Sequence, residues 1–141
     1  MKRTFVPPSG PIDALIVGIG EQPGKTEIFG RPPRPFIGDA GKGLDECLQM
    51  TKINRNTIYL TNVIKDLDAP LSHYIYVDEK NHYTILPEGQ QYIMELREEI
   101  QSLPNVNCVV AFGNIPLIAL CSRIGTNKWR GSVLESTLIL S

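Results

Sequence analysis

The sequence predicts an α/β fold: a doubly wound, three-layer sandwich around a central, mainly parallel sheet of four strands. Three observations carry that expectation. Short apolar runs stopped by glycine read as strands buried on both faces. Segments of helical period alternate with them. No internal repeat or linker divides the 141 residues, so the chain is expected to form a single domain over 1–141.

The elements follow in order. Residues 14–18, Ala-Leu-Ile-Val-Gly, form the first expected strand. Residues 19–38 are rich in Gly and Pro, and Pro23, Pro32, Pro33 and Pro35 exclude a regular helix there. A helix fits 40–52, with Leu44, Cys47 and Leu48 facing inward and Met50 at the margin of that face. Residues 57–63, β-branched and aromatic, read as a second strand. Residues 73–77 and 83–86 flank the polar stretch Asp78-Glu-Lys-Asn81, the pattern of a hairpin. From Pro87 or Glu88 to Leu103, the spacing of Tyr92, Ile93, Leu96, Ile100 and Leu103 predicts a helix. Residues 107–112 read as a buried strand closed by Gly113. Asn114 then caps a helix whose first turn tolerates Pro116. A last strand is expected over 133–140.

Composition narrows the function classes. The chain is 42% hydrophobic and 21% charged, an ordinary globular balance. No apolar run approaches the roughly 20 residues of a membrane span, and the N-terminus lacks the apolar core of a secretion signal. Cys47, Cys108 and Cys121 form no C-x-x-C pair; they read as free thiols, the last two as small core hydrophobes, in a reducing, cytoplasmic compartment. No metal site is expected, and the chain is expected to be a monomer. The formal net charge is −1, but residues 1–65 carry nine Lys/Arg against six Asp/Glu, and residues 66–141 five against nine. That asymmetry points weakly to a polyanion facing one side.

In open α/β sheets ligands sit beyond the carboxyl ends of the strands, so the loops 18–43, 62–72 and 113–116 matter most. The first contains Gly18-Ile-Gly-Glu-Gln-Pro-Gly-Lys-Thr26, which approaches two phosphate-binding signatures and meets neither. A P-loop requires glycine where Ile19 stands; a dinucleotide fingerprint requires it at Pro23; and both require a helix to begin at once.

A different set of residues is more specific. Gly20-Glu-Gln-Pro-Gly24, Glu27, Gly30-Arg31, Pro35-Phe-Ile-Gly38 and Ala40-Gly41 resemble the first motif of family-4-type uracil-DNA glycosylases. Ile58-Tyr-Leu-Thr-Asn-Val-Ile-Lys65 is similar to the family's second strand and its asparagine. Ala111-Phe-Gly-Asn114, Ala119-Leu120 and Arg130-Gly131 resemble its third strand, following helix and Arg-Gly turn. The motifs occur in the family's order and span residues 12–140.

The resemblance implies a uracil-DNA-glycosylase-like domain that hydrolyses or recognises a base flipped from DNA, uracil-containing or single-stranded, in base-excision repair. It places Phe36 as the aromatic on which the base stacks and Asn62 as the amide matching the edge of uracil, with Gly20 beside them. Glu21 and its loop would lie where water attacks the anomeric carbon. Gln22 replaces the family's small residue, and either orients a water or narrows the pocket. Gly24, Gly38 and Gly41, with Arg31, Arg34, Lys42 and Lys65, are the expected phosphate contacts.

Two further departures qualify the resemblance. Many family-4 enzymes hold an iron–sulfur cluster with four cysteines; the spacing here matches none of that, so no cofactor is expected. The family's final His-Pro-Ser loop, whose histidine stabilises the departing uracil anion, has no counterpart, since the sequence contains no His-Pro and ends at Ser141. A glycosylase is therefore expected if a longer native chain supplies that loop. The alternative is a non-catalytic nucleic-acid or nucleotide-binding module of a replication or repair system.

Overall fold

A computed structural model describes residues 5–139. Three parallel strands form the central sheet: β1 (Ile16–Gly20) lies in the middle, β2 (Tyr59–Asn62) on one side and β5 (Cys108–Ala111) on the other. The register pairs Gly20 with Asn62 and Ile19 with Ala111, so all three strands end at the same edge. A separate antiparallel hairpin comprises β3 (Ile75–Val77) and β4 (Tyr83–Ile85). In its turn the Asp78 carboxylate accepts the backbone N–H groups of Lys80 and His82.

Alternation along the strands divides the core into two layers. Val17, Ile19, Tyr59 and Val63 face one side, where α3 (Pro87–Gln101), α4 (Asn114–Cys121) and the hairpin cover them. Ile58 and Leu60 face the other, against Leu44 and Leu48 of α2 (Asp39–Thr51). Helices therefore lie on both faces of a parallel sheet, as expected. Helix α3 starts with proline at its first position, where no N–H bond is lost. Residues 115–120 of α4 are all buried, which explains a segment with almost no polar side.

The described residues correct several expectations. The central sheet has three strands, because no strand forms over 133–139; residue 140 lies outside the described part. The Ser136 hydroxyl donates to the Leu120 carbonyl and accepts the N–H groups of Leu138 and Ile139, while the Thr137 N–H also goes to Leu120. A serine satisfying its neighbours' backbone in this way competes with a strand ladder. Strand β5 is consequently half-exposed: Cys108 is exposed, not a core residue. Cys47 and Met50 lie on the outer face of α2, since Gly41, Leu44 and Leu48 fill the inner one. The proline-rich loop contains one helical turn, α1 (Lys25–Ile28), ahead of its prolines, and a second unexpected turn, α5 (Thr126–Trp129), follows α4. At the β2 edge, Ser9 exchanges two backbone hydrogen bonds with Leu60. Among the described residues no helix is long and apolar enough to cross a membrane.

Candidate active site

The carboxyl ends of β1, β2 and β5 open into a cavity of about 330 Å³, lined by Gly20, Glu21, Gln22, Phe36, Asn62 and Phe112 among others. Asn62 ends β2 with its side chain on the α2 face. It is only 6% exposed, and no hydrogen bond reaches its side-chain amide among the described residues. Gly20 sits beside it. A Cβ there would lie 2.6 Å from Asn62 Oδ1 and 2.7 Å from Phe36 Cζ, so only glycine leaves the space between ring and amide open. The Phe36 ring meets Phe112 edge-on, with centroids 5.5 Å apart.

Phe36 takes a left-handed backbone conformation, φ +57°, that a bulky residue adopts only when its surroundings impose it. Two neighbours do so. Gly41, in the first turn of α2, lies so close that a Cβ would fall 1.9 Å from the Phe36 carbonyl oxygen. The Arg55 guanidinium donates to the Pro35 and Phe36 carbonyls and pairs with Asp45 at 2.8 Å. Arg55 and Arg34 also line a second cavity, about 450 Å³, which shares Phe36 with the first.

Glu27 ties the two glycine loops together. Its Oε1 accepts the Gly24 N–H at 2.7 Å, and its Oε2 accepts the Gly38 N–H at 2.6 Å. Glu21 reaches across to β5, where its Oε2 accepts the Ile115 N–H at the start of α4. Gly113, at φ +107°, passes so close that a Cβ would lie 3.0 Å from that oxygen. Gln22 donates through Nε2 to the carbonyls of Asp66 and Ala69, which anchors the 66–69 loop to the site. Both amide hydrogens are thereby used, and what Gln22 can still offer is its acceptor oxygen Oε1.

Gly20, Glu21, Gln22, Phe36 and Asn62 thus converge on one cavity. The seven expected phosphate contacts do not behave as one set. Lys65 is corrected: it is 8% exposed, pairs with Glu99 at 2.8 Å and donates to the Asn62 carbonyl, so its charge is buried and paired within the fold. Gly24 and Gly38 are corrected because Glu27 already takes their N–H groups. Gly41 is buried against Phe36. Arg31 and Lys42 are exposed, with Lys42 beside Asp39; Arg34 is half-buried, its guanidinium on the Pro32 carbonyl.

Sequence reasoning missed Arg55 and the role of Phe112. Phe112 stands in a quoted motif, but nothing in the sequence shows that its ring meets Phe36. Arg55 acts on carbonyls 19 and 20 residues away, a relation no local pattern carries. Both histidines stand apart from the cavity, His73 beside Glu88 and His82 beside Asp78. An iron–sulfur cluster does not fit this donor set. The three cysteines lie on α2, on β5 and at the end of α4, and no three His, Cys, Asp or Glu side chains gather as metal ligands among the described residues.

The aromatic ring, amide and carboxylate thus lie in a cavity at the carboxyl edge of a parallel sheet, where open α/β proteins bind their ligands. Comparison with known proteins gives the family. A profile of the "Uracil DNA glycosylase superfamily" matches residues 7–140, and the chain belongs to that superfamily. The chain is 42% identical over 64 residues to a "Type-4 uracil-DNA glycosylase" of Archaeoglobus fulgidus, which covers 45% of this chain and 31% of that protein. Proteins of the same description from Thermotoga maritima and Pyrobaculum aerophilum are 43% identical over 56 residues and 34% over 64. The matched stretch covers 40% and 45% of this chain. It spans 28% and 32% of those relatives, so the chain matches about a third of their length.

Proposed function

We propose that this domain binds a uracil flipped out of DNA and hydrolyses its N-glycosidic bond. The observation that carries the reading is the Asn62 amide, buried yet unpartnered among the described residues, facing the Phe36 ring across the gap that Gly20 leaves. The amide is open to the cavity, where a ligand offering a complementary donor and acceptor can pair with it. Uracil offers both on one edge; cytosine presents the wrong pattern. Phe36 supplies the face on which the base stacks.

In the chemical step the C1′–N1 bond breaks and its electron pair leaves with the uracil. The oxygen of water bonds to C1′, and the proton it loses passes, directly or through solvent, to the departing uracil anion. The Glu21 carboxylate, held by the Ile115 N–H, stands to stabilise the positive charge developing on the sugar. Gln22 Oε1 is the acceptor that orients the water, since its amide nitrogen is fixed by two carbonyls. Exposed Arg31 and Lys42 contact phosphates. The similarity to proteins described as type-4 uracil-DNA glycosylases supports the same reading.

One observation favours a second reading, a module that holds the base without cleaving it: among the described residues neither histidine lines the cavity. Incubation with single- and double-stranded oligonucleotides carrying one uracil, followed by alkaline cleavage, separates the two. Strand scission that Asn62→Ala abolishes supports the glycosylase. Binding without scission, dependent on Phe36 and Asn62, supports the module. Binding and scission both indifferent to those residues would remove the pocket from either reading.

A further inference from the structure

The acidic balance of the second half conceals a basic segment. Between Glu99 and Glu135 the chain has no Asp or Glu, yet Arg123, Lys128 and Arg130 all fall there. All three are exposed; Arg123 and Lys128 lie over the half-buried ring of Trp129, and Arg130 is its neighbour in the chain. The Arg123 Cζ lies 4.4 Å from the ring centroid and Lys128 Nζ 5.2 Å. Arg130 follows the tryptophan and donates to Asn127 Oδ1. Among the described residues no acidic side chain pairs with any of the three.

Like charges held together repel, and here only the ring face and solvent offset that repulsion. An aromatic face steadies a guanidinium or ammonium while leaving its N–H groups pointing outward. That is the arrangement a row of phosphates requires. The segment is also fixed to the rim of the cavity. Asn114 Oδ1 accepts the N–H groups of Gly125 and Thr126, and the next residue, Ile115, donates its N–H to Glu21. One turn of backbone at the start of α4 thus touches the reaction site on one side and the basic segment on the other.

We propose that Arg123, Lys128 and Arg130, propped by Trp129, form a contact surface for the phosphates of a single DNA strand flanking the nucleotide in the cavity. The identity of the strand rests on the glycosylase reading; the surface itself is tested without uracil. Trp129 is the only tryptophan in the chain, so its emission reports on the patch directly. An oligodeoxycytidylate, whose base edge does not match the Asn62 amide, is titrated into the full chain at several salt concentrations between about 50 and 200 mM, and binding is followed by tryptophan fluorescence and by anisotropy of a labelled strand.

The expected result is a change in Trp129 emission on binding, and a salt slope that falls by about 2 when all three cations are replaced by alanine, at ~0.7 per phosphate contact on single strands. Affinity at the lowest salt should fall at least about tenfold. Lys80→Ala, on the hairpin turn, should change neither. Arg123→Lys with Arg130→Lys, which keeps the charge, should retain most of the slope and so shows that the triple variant fails through charge and not through folding. An unchanged slope in the triple variant, or silent tryptophan emission while anisotropy reports binding, overturns the proposal. A response to phosphatidylserine vesicles but not to the oligonucleotide would overturn it in favour of a membrane surface. The pocket reading is tested separately, by uracil release from a uracil-containing strand, so its failure and the failure of this proposal are distinguishable.

Discussion

Asn62, the last residue of β2, and Asp66, four residues on, both lie buried, and the chain uses them in opposite ways. Asp66 is surrounded by donors: the Tyr74 hydroxyl bonds one oxygen at 2.6 Å and the Tyr92 hydroxyl bonds the other. Beside it Lys65 is paired with Glu99, which also accepts from Tyr59. Among the described residues Asn62 has no such company on its side-chain amide. A buried polar group that is paired within the fold builds scaffold; one left open toward a cavity waits for a ligand. The contrast also explains why Lys65 does not reach DNA. It supports the strand end from behind by donating to the Asn62 carbonyl.

The contrast can be pressed from both sides. The largest effect is expected from Asp66→Ala, which leaves two buried tyrosine hydroxyls without their acceptor. Breaking a buried charged network of this kind costs about 3–5 kcal/mol, read as a collapse of the urea midpoint. Gly20→Ala should do the reverse: uracil release falls by at least about 100-fold, roughly 3 kcal/mol, while the thermal midpoint moves by only a few degrees. Its Cβ would occupy the gap between Asn62 and Phe36. Phe36→Leu should lose about 1–3 kcal/mol of base stacking, seen as a 10- to 100-fold rise in KM with a smaller change in kcat.

The smallest effect belongs to pH. Burial, then the neighbouring carboxylate, pushes the Tyr59, Tyr74 and Tyr92 hydroxyls above their ordinary value of 10.0, with Glu99 acting on Tyr59 and Asp66 on the other two. The folded protein therefore keeps these protons where the unfolded chain releases them. Their contribution is complete below about pH 10 and declines as pH rises above it. Urea midpoints should fall through that alkaline range, and Tyr92→Phe should flatten the fall. A midpoint indifferent to pH above 10 would contradict the scaffold assignment.

Much of this was legible in the sequence, and for identifiable reasons. The strands of the central sheet are apolar runs closed by Gly or Asn, and α3 carries its period openly in Tyr92, Ile93, Leu96 and Ile100. The pocket residues were legible through linked motifs in order. What was not legible depended on pairings distant in sequence. Glu27 claims the N–H groups of Gly24 and Gly38, Arg55 holds Phe36, and Glu99 draws Lys65 inward. Each turns an expected phosphate contact or an ordinary surface charge into scaffold. Residues 133–139 carry strand-forming types, yet Ser136 diverts their backbone to the end of α4.

Charge patterning now reads in finer grain. The acidic excess of the second half is confined almost entirely to residues 66–99, most of it on the hairpin and α3, with Asp66 and Asp68 in the loop that Gln22 anchors. The 100–134 stretch is basic and bears on the rim through Asn114.

The central claim is that the Asn62 amide is held open for a pyrimidine edge, and it can be tested without any catalysis. The side-chain NH2 resonances of Asn62, assigned by their loss in Asn62→Asp, are followed by 15N-edited NMR as free uracil and then free cytosine are added. The account expects those resonances to shift with uracil in a saturable way, together with the Phe36 ring signals, and to stay in place with cytosine. Asn62 resonances unmoved by uracil at saturation, or moved equally by both bases, would contradict it.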